Sequence, residues 1–330
     1  MISLSCLKES DIPAFQTFIH EHWKAGHIFS KEESIFRWQH MRPGDKEAHY
    51  CIAKDGDEIV GIQGVIPTSL FDPELGSDQI FLSLWKALED RGVAIGLSLY
   101  RTILKRYSPN FIGVVGIRSN VLPFYEINGF KIGELDHYVM LSEEVSSFSV
   151  AEVPKSVQNS TVSGEDVIKP YEWGQANPDW FSHQLPQKSE QYLRGRYEQH
   201  PVYNYHLWSV GDEGVLVGRF VSVNGGKVLR LIDVIGPDSM MRHVGPGLQR
   251  VMKESWAEYV DLYVTGLNKE DLLAGGFIDR KETEGLVVPN YFEPFEKRNI
   301  DVMFAHKADS EIPVRLCKGD GDQDRPNSVS

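Results

Sequence analysis

Apolar positions along this chain change their period several times, and each change marks an element. Ile2 to Leu7 alternates apolar and polar residues like a strand. Ser10 and Asp11 then offer N-cap oxygens to a helix carrying Phe15, Phe18, Ile19 and Trp23. A second short helix is expected at 31–40, before Arg42-Pro-Gly. Residues 50–53 and 59–67 read as antiparallel strands joined through Lys54-Asp-Gly-Asp57, in which Asp-Gly is a strong hairpin signal. After a loop at 71–78 comes the stretch that organises the rest. It is strand-like from Phe81, crosses a polar turn at Glu89 and Asp90, meets Gly92 and Gly96, and becomes helical through Leu97, Leu99, Tyr100, Ile103 and Leu104. A strand that turns through small residues into a helix leaves the first helical N–H groups unpaired. With the positive end of the helix dipole they form a seat for a phosphate. An ordinary strand–turn–helix has the same pattern, so the remaining chain must decide between the two. A buried-type strand follows at 111–117, then the run Phe124-Tyr-Glu-Ile-Asn-Gly-Phe130 and alternating strands to Leu141.

Composition narrows the partners. A formal charge of −13 over 330 residues excludes bulk nucleic-acid binding, which needs a basic face. A single anionic ligand held by backbone amides remains compatible with it. Cys6, Cys51 and Cys317 lie far apart and show no metal spacing, as expected of a reducing cytoplasm. The polar start is not a signal peptide, and no apolar run reaches membrane-spanning length. The chain is therefore expected to be cytoplasmic, with no membrane and no metal, and either a monomer or a homodimer.

The order strand, helix, helix, hairpin, strand, glycine turn, helix, strand, ending in Phe124–Phe130, resembles the GNAT acyltransferases. That family binds acyl-coenzyme A with an Arg/Gln-x-x-Gly-x-Gly/Ala turn, matched here by Arg91, Ala94 and Gly96, so that alanine replaces the middle glycine. A phenylalanine–tyrosine pair before Gly-Phe is matched by Phe124, Tyr125, Gly129 and Phe130. The resemblance covers 1–141 and implies an acyl-CoA donor contacting Leu84, Trp85, Lys86, Arg91, Gly92, Val93, Ala94, Ile95, Gly96, Asn120 and Phe124.

The pattern then returns. Leu193-Arg-Gly-Arg-Tyr-Glu-Gln-His-Pro201 echoes Phe36-Arg-Trp-Gln-His-Met-Arg-Pro43, and Arg242-His-Val-Gly-Pro-Gly247 echoes Arg91–Gly96. Gly276-Phe277 echoes Gly129-Phe130, all at offsets of roughly 150 residues that shrink along the chain. The expected fold is α+β: two tandem GNAT-like domains, each a twisted mixed sheet flanked by helices. Residues 1–141 form the first, 142–163 a linker, 164–307 a second, degenerate copy, and 308–330 a disordered polar tail.

The second copy has no tyrosine near Gly276-Phe277, and Pro246 removes a donor from its glycine turn. Catalysis is therefore assigned to the first copy and acceptor binding to the cleft between copies. Tyr125 is the expected acid for the departing thiolate. For the base, His40 and His27 lie where this family covers its acceptor. Asp233 lies in an apolar strand where a lone carboxylate is costly unless paired or used. A salt bridge from Asp233 to Arg230 or Arg219 is the plainer account of it, and a base acting through ordered water is a third option. Phe36 and Trp38, with Tyr291, Phe292 and Phe295 of an aromatic loop, are the expected acceptor contacts; that loop equally suits packing of the two copies. By resemblance to bacterial sugar N-acyltransferases, the acceptor is an amino sugar, specifically a nucleotide-linked amino-deoxysugar (dTDP- or UDP-linked) destined for surface polysaccharide such as lipopolysaccharide. The alternatives are another small amine (an antibiotic or polyamine) and a non-catalytic acyl-CoA binding module. The aminoacyl-tRNA-dependent peptidyltransferases fit the acidic charge poorly.

Overall fold

In a computed structural model, which describes residues 2–91, 94–157 and 162–328, the two halves of the chain build two mixed sheets and exchange strands between them. The first half contributes β1 (Ile2–Lys8), α1 (Ile12–His22), α2 (Ile28–Lys31), α3 (Glu33–His40), β2 (Glu47–Asp55), β3 (Glu58–Pro67) and β4 (Gln79–Ala87). It continues with α4 (Ala94–Tyr107), β5 (Phe111–Val115), α5 (Leu122–Ile127), β6 (Lys131–Glu134) and β7 (Asp136–Leu141). The second half repeats the order with β8 (Ile168–Pro170), α6 (Glu190–Leu193), β9 (His206–Val210), β10 (Gly214–Val223), β11 (Gly226–Ile235), α7 (Gly245–Ser255) and β12 (Tyr259–Thr265). It ends with α8 (Lys269–Ala274), β13 (Ile278–Asp279), the small hairpin β14 (Tyr291–Phe292) and β15 (Phe295–Glu296), β16 (Met303–Ala308) and β17 (Leu316–Cys317).

The sheets cut across the expected domain boundaries. The first runs β1-β2-β3-β4-β5-β16-β6 and the second β13-β7-β12-β11-β10-β9-β8. Each half has given one strand to the other. β7 lies between β12 and β13, and β16 between β5 and β6, antiparallel to both neighbours in each case. Tyr138, Val139, Met140 and Leu141 are buried in the foreign sheet. Burial of side chains of this size contributes roughly 1.5–3 kcal/mol each, so neither sheet is complete without the other half. Residues 1–141 are thus not a self-contained unit. One hydrophobic core joins the halves, packing Phe71, Phe81 and Phe111 against Tyr192, Tyr197, Ile232, Tyr263 and Leu316.

Local signals explain the hairpins. Asn224 and Gly225 both have positive φ, 52° and 80°, which the tight β10–β11 turn requires. α4 buries Ile95, Leu99, Tyr100, Ile103 and Tyr107, and it packs on β2, β3 and β4. α1 and α3 cover the other face with Phe15, Phe18, Ile19, Ile35 and Phe36.

The expected disordered tail is instead ordered through residue 328. Leu316, Cys317, Lys318 and Asp320 are buried. Its polar residues are held by partners elsewhere in the chain, not by apolar burial. The Arg219 guanidinium donates to Asp324, the Lys318 ammonium to Asn290, and the Arg196 guanidinium to the Gly319 and Gly321 carbonyls. The expected linker is also partly packed: Val150 and Ala151 are buried and Glu152 bridges to Val287. Among the described residues, no helix is long and apolar enough to cross a membrane.

Candidate functional site

β4 and β5 are parallel and pair only over Gln79–Phe81 and Phe111–Gly113. Beyond that they part, and the crevice at their carboxyl ends, where open α/β sheets take ligands, is a cleft of about 400 Å³. The β3–β4 register passes from Gln63↔Trp85 to Gly64↔Ser83, so Leu84 is an extra residue in β4. A bulge of this kind leaves its residue's backbone polar groups outside the ladder. Leu84, Trp85 and Lys86 line one wall. Val114–Arg118, Asn120, Val121 and Tyr125 line the other.

α4 begins at Ala94, and Trp85 lies against its first turn. A Cβ on Gly96 would come 3.1 Å from the Trp85 ring, so glycine there admits the indole. Trp85 also packs on Phe124, at 4.7 Å between ring centroids. Ile95 is buried toward the sheet. Gly92 and Val93, the middle of the expected anion seat, lie outside the described residues. Arg91 is the last described residue before them. Its guanidinium is engaged by Asp55 and Glu58, each at 3.1 Å.

Tyr125 is 3% exposed and its side chain reaches the cleft wall, within van der Waals range of Phe124 and Phe130. Burial, helped by neighbouring Tyr100, raises the phenol above its ordinary value, so it is protonated at any working pH.

The other two expected catalytic residues are elsewhere. His40 is sealed in the first half's core, ringed by Phe29, Phe36 and Tyr50 and hydrogen-bonded to the Val65 carbonyl. Burial pushes it down to about 3, and it is outside the cleft. His27 is likewise buried, where its Nδ1 accepts from the Phe29 N–H and caps α2. Phe36 belongs to that same core and has no open face. Asp233 pairs with neither Arg230 nor Arg219. Its carboxylate receives the Lys188 ammonium at 2.6 and 2.7 Å and the Tyr197 hydroxyl at 2.7 Å, with Asp320 on the far side of Lys188 at 3.0 Å. Burial alone would lower the Lys188 ammonium, but the two carboxylates outweigh it and hold it above its ordinary value. This is a closed structural cluster, and no proton acceptor for a substrate is available there.

Trp38 is a contact between halves, packed on Phe71 and His200 under the Arg196 guanidinium. The aromatic loop divides. Tyr291 and Phe292 line a second pocket of about 210 Å³, and Phe295 packs against the β7–β12 face.

The residues that sequence reasoning missed come from the tail. Asp322, Gln323 and Arg325 line both the cleft and the second pocket, forming the wall between them. Gln323 lies so close to Gly116 that a Cβ there would fall 2.0 Å from its amide nitrogen, and Gly116 has φ +79°. Asp322 is paired with Arg325 at 2.7 Å. Three carboxylates within five residues, at 320, 322 and 324, were the available signal, but Asp320 and Asp324 find their partners, Lys188 and Arg219, more than a hundred residues away.

The same splay exists in the second half, and there it is filled. β11 and β12 pair only over Leu229–Leu231 and Val260–Leu262. β17 then pairs with Val264 and Thr265, and the Gly319 N–H donates to the Ile232 carbonyl. The glycine turn of α7 is also covered. A Cβ on Gly245 would meet Val162 at 2.7 Å, and one on Gly247 would meet Asp166 and Ile168 at 2.5 Å. Arg242 is paired with Asp271.

The chain matches two solved structures of GCN5-related N-acetyltransferases over most of its length. One, from Anabaena variabilis ATCC 29413, has a TM-score of 0.57 at 10% identity, covering 93% of this chain and 72% of that one. The other, from Kribbella flavida, has a TM-score of 0.51 at 11% identity, covering 93% and 70%. At such identities the likeness is one of fold, and the fold is the tandem mixed-sheet arrangement expected from the sequence. No protein-family profile and no curated protein sequence matches the chain.

Proposed function

We propose that this chain is an acyl-CoA-dependent N-acyltransferase with one thioester site, the β4–β5 cleft. The observation that carries the reading is the contrast between the two splayed strand pairs. The first is an open cleft headed by a glycine-bearing helix start, and the second is occupied by β17 and the chain following it. In this reading the donor's pyrophosphate lies on the first N–H groups of α4, and its pantetheine runs along the Leu84 bulge.

The acceptor amine attacks the thioester carbonyl, and the oxyanion that forms accepts from backbone N–H at the bulge. As the carbonyl reforms, the C–S bond breaks and the electron pair leaves on sulfur. Tyr125 gives that thiolate its proton. The transfer is uphill in pKa, so its benefit is positional, in a cleft where a bare thiolate is poorly solvated. Asp322, on the wall between cleft and second pocket, takes the proton the amine sheds.

The acceptor in this reading is an amino sugar, specifically a nucleotide-linked one. A two-walled site between halves suits a substrate larger than the cleft alone, and Tyr291 and Phe292 offer faces for a sugar or base ring. The test is thiol release from acetyl-CoA with a panel of free and nucleotide-linked amino sugars and polyamines. Turnover with a nucleotide-linked amino sugar above the polyamine rate is expected. Turnover with polyamines alone would reject the sugar, and no turnover with any amine would reject the enzyme.

A further inference from the structure

Lys318 sits in the second pocket under unusual conditions. It is 4% exposed, and its ammonium has three donors, yet it donates to Asn290 Oδ1 at 2.6 Å and, among the described residues, no carboxylate lies within ion-pair distance. The nearby charges are already matched with one another. Arg230 spends its donors on Asp261, the Asn290 carbonyl and side chain, and the Pro289 carbonyl. Arg219 is held by Asp324 and lies 3.9 Å above the Tyr203 ring. Arg325 gives one nitrogen to Asp322, while its Nε–H is buried without a partner. A buried cation lacking a counter-ion is costly. It is retained here facing an open volume of about 210 Å³ with Phe292 and Tyr203 in its walls.

We propose that this pocket receives an oxyanion carried by the acceptor, a phosphate or carboxylate, with Lys318 as its charge partner. The assignment to the acceptor rests on the acyl-transfer reading of the adjoining cleft. Lys318 faces Arg230 from β11, Asp261 and Tyr263 from β12, Arg219 from β10, Asn290 from the aromatic loop and Asp324 from the tail. Glu293, Asp322 and Arg325 line the same pocket. Burial first, and then Arg230, push Lys318 down to about 7. An anion bound beside it favours the charged form, so binding above neutral pH takes up a proton and weakens as pH rises.

The test is calorimetric titration of the full chain with sulfate and, separately, acetate, at pH 6 and pH 8.5 in buffers of differing ionisation heat. Neither probe titrates in that range. The expected result is saturable binding of one anion, at least about tenfold tighter at pH 6 and with proton uptake at pH 8.5. Lys318→Met should weaken it at least tenfold. Tighter sulfate binding assigns a phosphate to the acceptor, and tighter acetate binding a carboxylate. The titration is repeated with desulfo-coenzyme A saturating the cleft, and binding should persist. Displacement by desulfo-coenzyme A, binding without proton uptake at pH 8.5, or no saturable binding of either probe would overturn the proposal. The proton-uptake measurement needs only the wild type, so the test survives a Lys318→Met variant that fails to fold. Coenzyme A binding is titrated on its own, so a failure of the thioester cleft reads out there and not in the anion isotherm.

Discussion

Replacing Lys188 by methionine separates a structural carboxylate at Asp233 from a catalytic one. The ammonium lies 2.6 Å from Asp233 and 3.0 Å from Asp320, and all three side chains are buried. At an effective dielectric near 20, each contact has a gross attraction of about 5–6 kcal/mol, and desolvation offsets most of it. Methionine keeps the length and removes the charge. It leaves two carboxylates whose oxygens lie within 4.8 Å of each other and of the Cys317 sulfur. Loss of one partner from a buried pair costs about 3–5 kcal/mol, and that is the expected fall in unfolding free energy in urea at pH 8. The pH dependence has a definite sign. In the variant one carboxylate takes a proton, with a folded pKa above its unfolded value, so the native state binds more protons than the unfolded state above about pH 4. The variant therefore loses stability as pH rises, and its deficit against wild type widens from pH 5 to pH 8. Adding Asp233→Asn should recover part of the loss. A deficit under about 1 kcal/mol at both pH values, or one that narrows as pH rises, would refute the account of this cluster.

Tyr125→Phe should lower kcat roughly 10- to 1000-fold with little change in the KM for acyl-CoA; unchanged kcat would make the phenol a packing group. Asp322→Asn should lower kcat by about 100-fold or more, measured as thiol release, while coenzyme A affinity in calorimetry stays within about threefold. A chain ending at residue 150 lacks β16, the strand between β5 and β6. It should show no cooperative thermal transition by circular dichroism, and a sharp transition would show that the first sheet closes without the exchange.

Elements with local signals were legible in the sequence. The Asp-Gly turn, the helix entries and the strand–glycine–helix junction each depend on neighbours within a few residues. The exchange of β7 and β16 was not, because a strand's alternation is the same whichever sheet receives it. The tail misled for a related reason. Low apolar content reads as disorder, yet Lys318 and Asp324 are held by Asn290 and Arg219, which no local pattern connects to them. In the site, Trp85, Asn120 and Tyr125 were expected through the resemblance of residues 1–141 to the GNAT acyltransferases, and all three line the cleft. His40 and Phe36 fell into the core because α3 turns that face inward, toward Phe15 and Tyr50. Asp233 is ion-paired, but with Lys188, in the irregular stretch before α6 and 45 residues away, and not with the strand arginines the local sequence offered.

The central claim is that the open splay between β4 and β5, and not the filled one between β11 and β12, binds the donor, and calorimetric titration of acetyl-CoA into the intact chain, beside Gly96→Pro and Gly247→Pro, tests it most directly. Proline in the first turn of a helix removes an N–H, so Gly96→Pro takes away a donor at the proposed pyrophosphate seat; because a Cβ there also comes 3.1 Å from the Trp85 ring, Gly96→Ala is the control that carries the steric change alone. The expected result is one acetyl-CoA per chain, binding at least about tenfold weaker in Gly96→Pro than in Gly96→Ala, and wild-type affinity in Gly247→Pro with its fold verified by circular dichroism, since a Cβ there meets Ile168 at 2.5 Å. Two equivalents per chain, or a loss confined to Gly247→Pro, would contradict it.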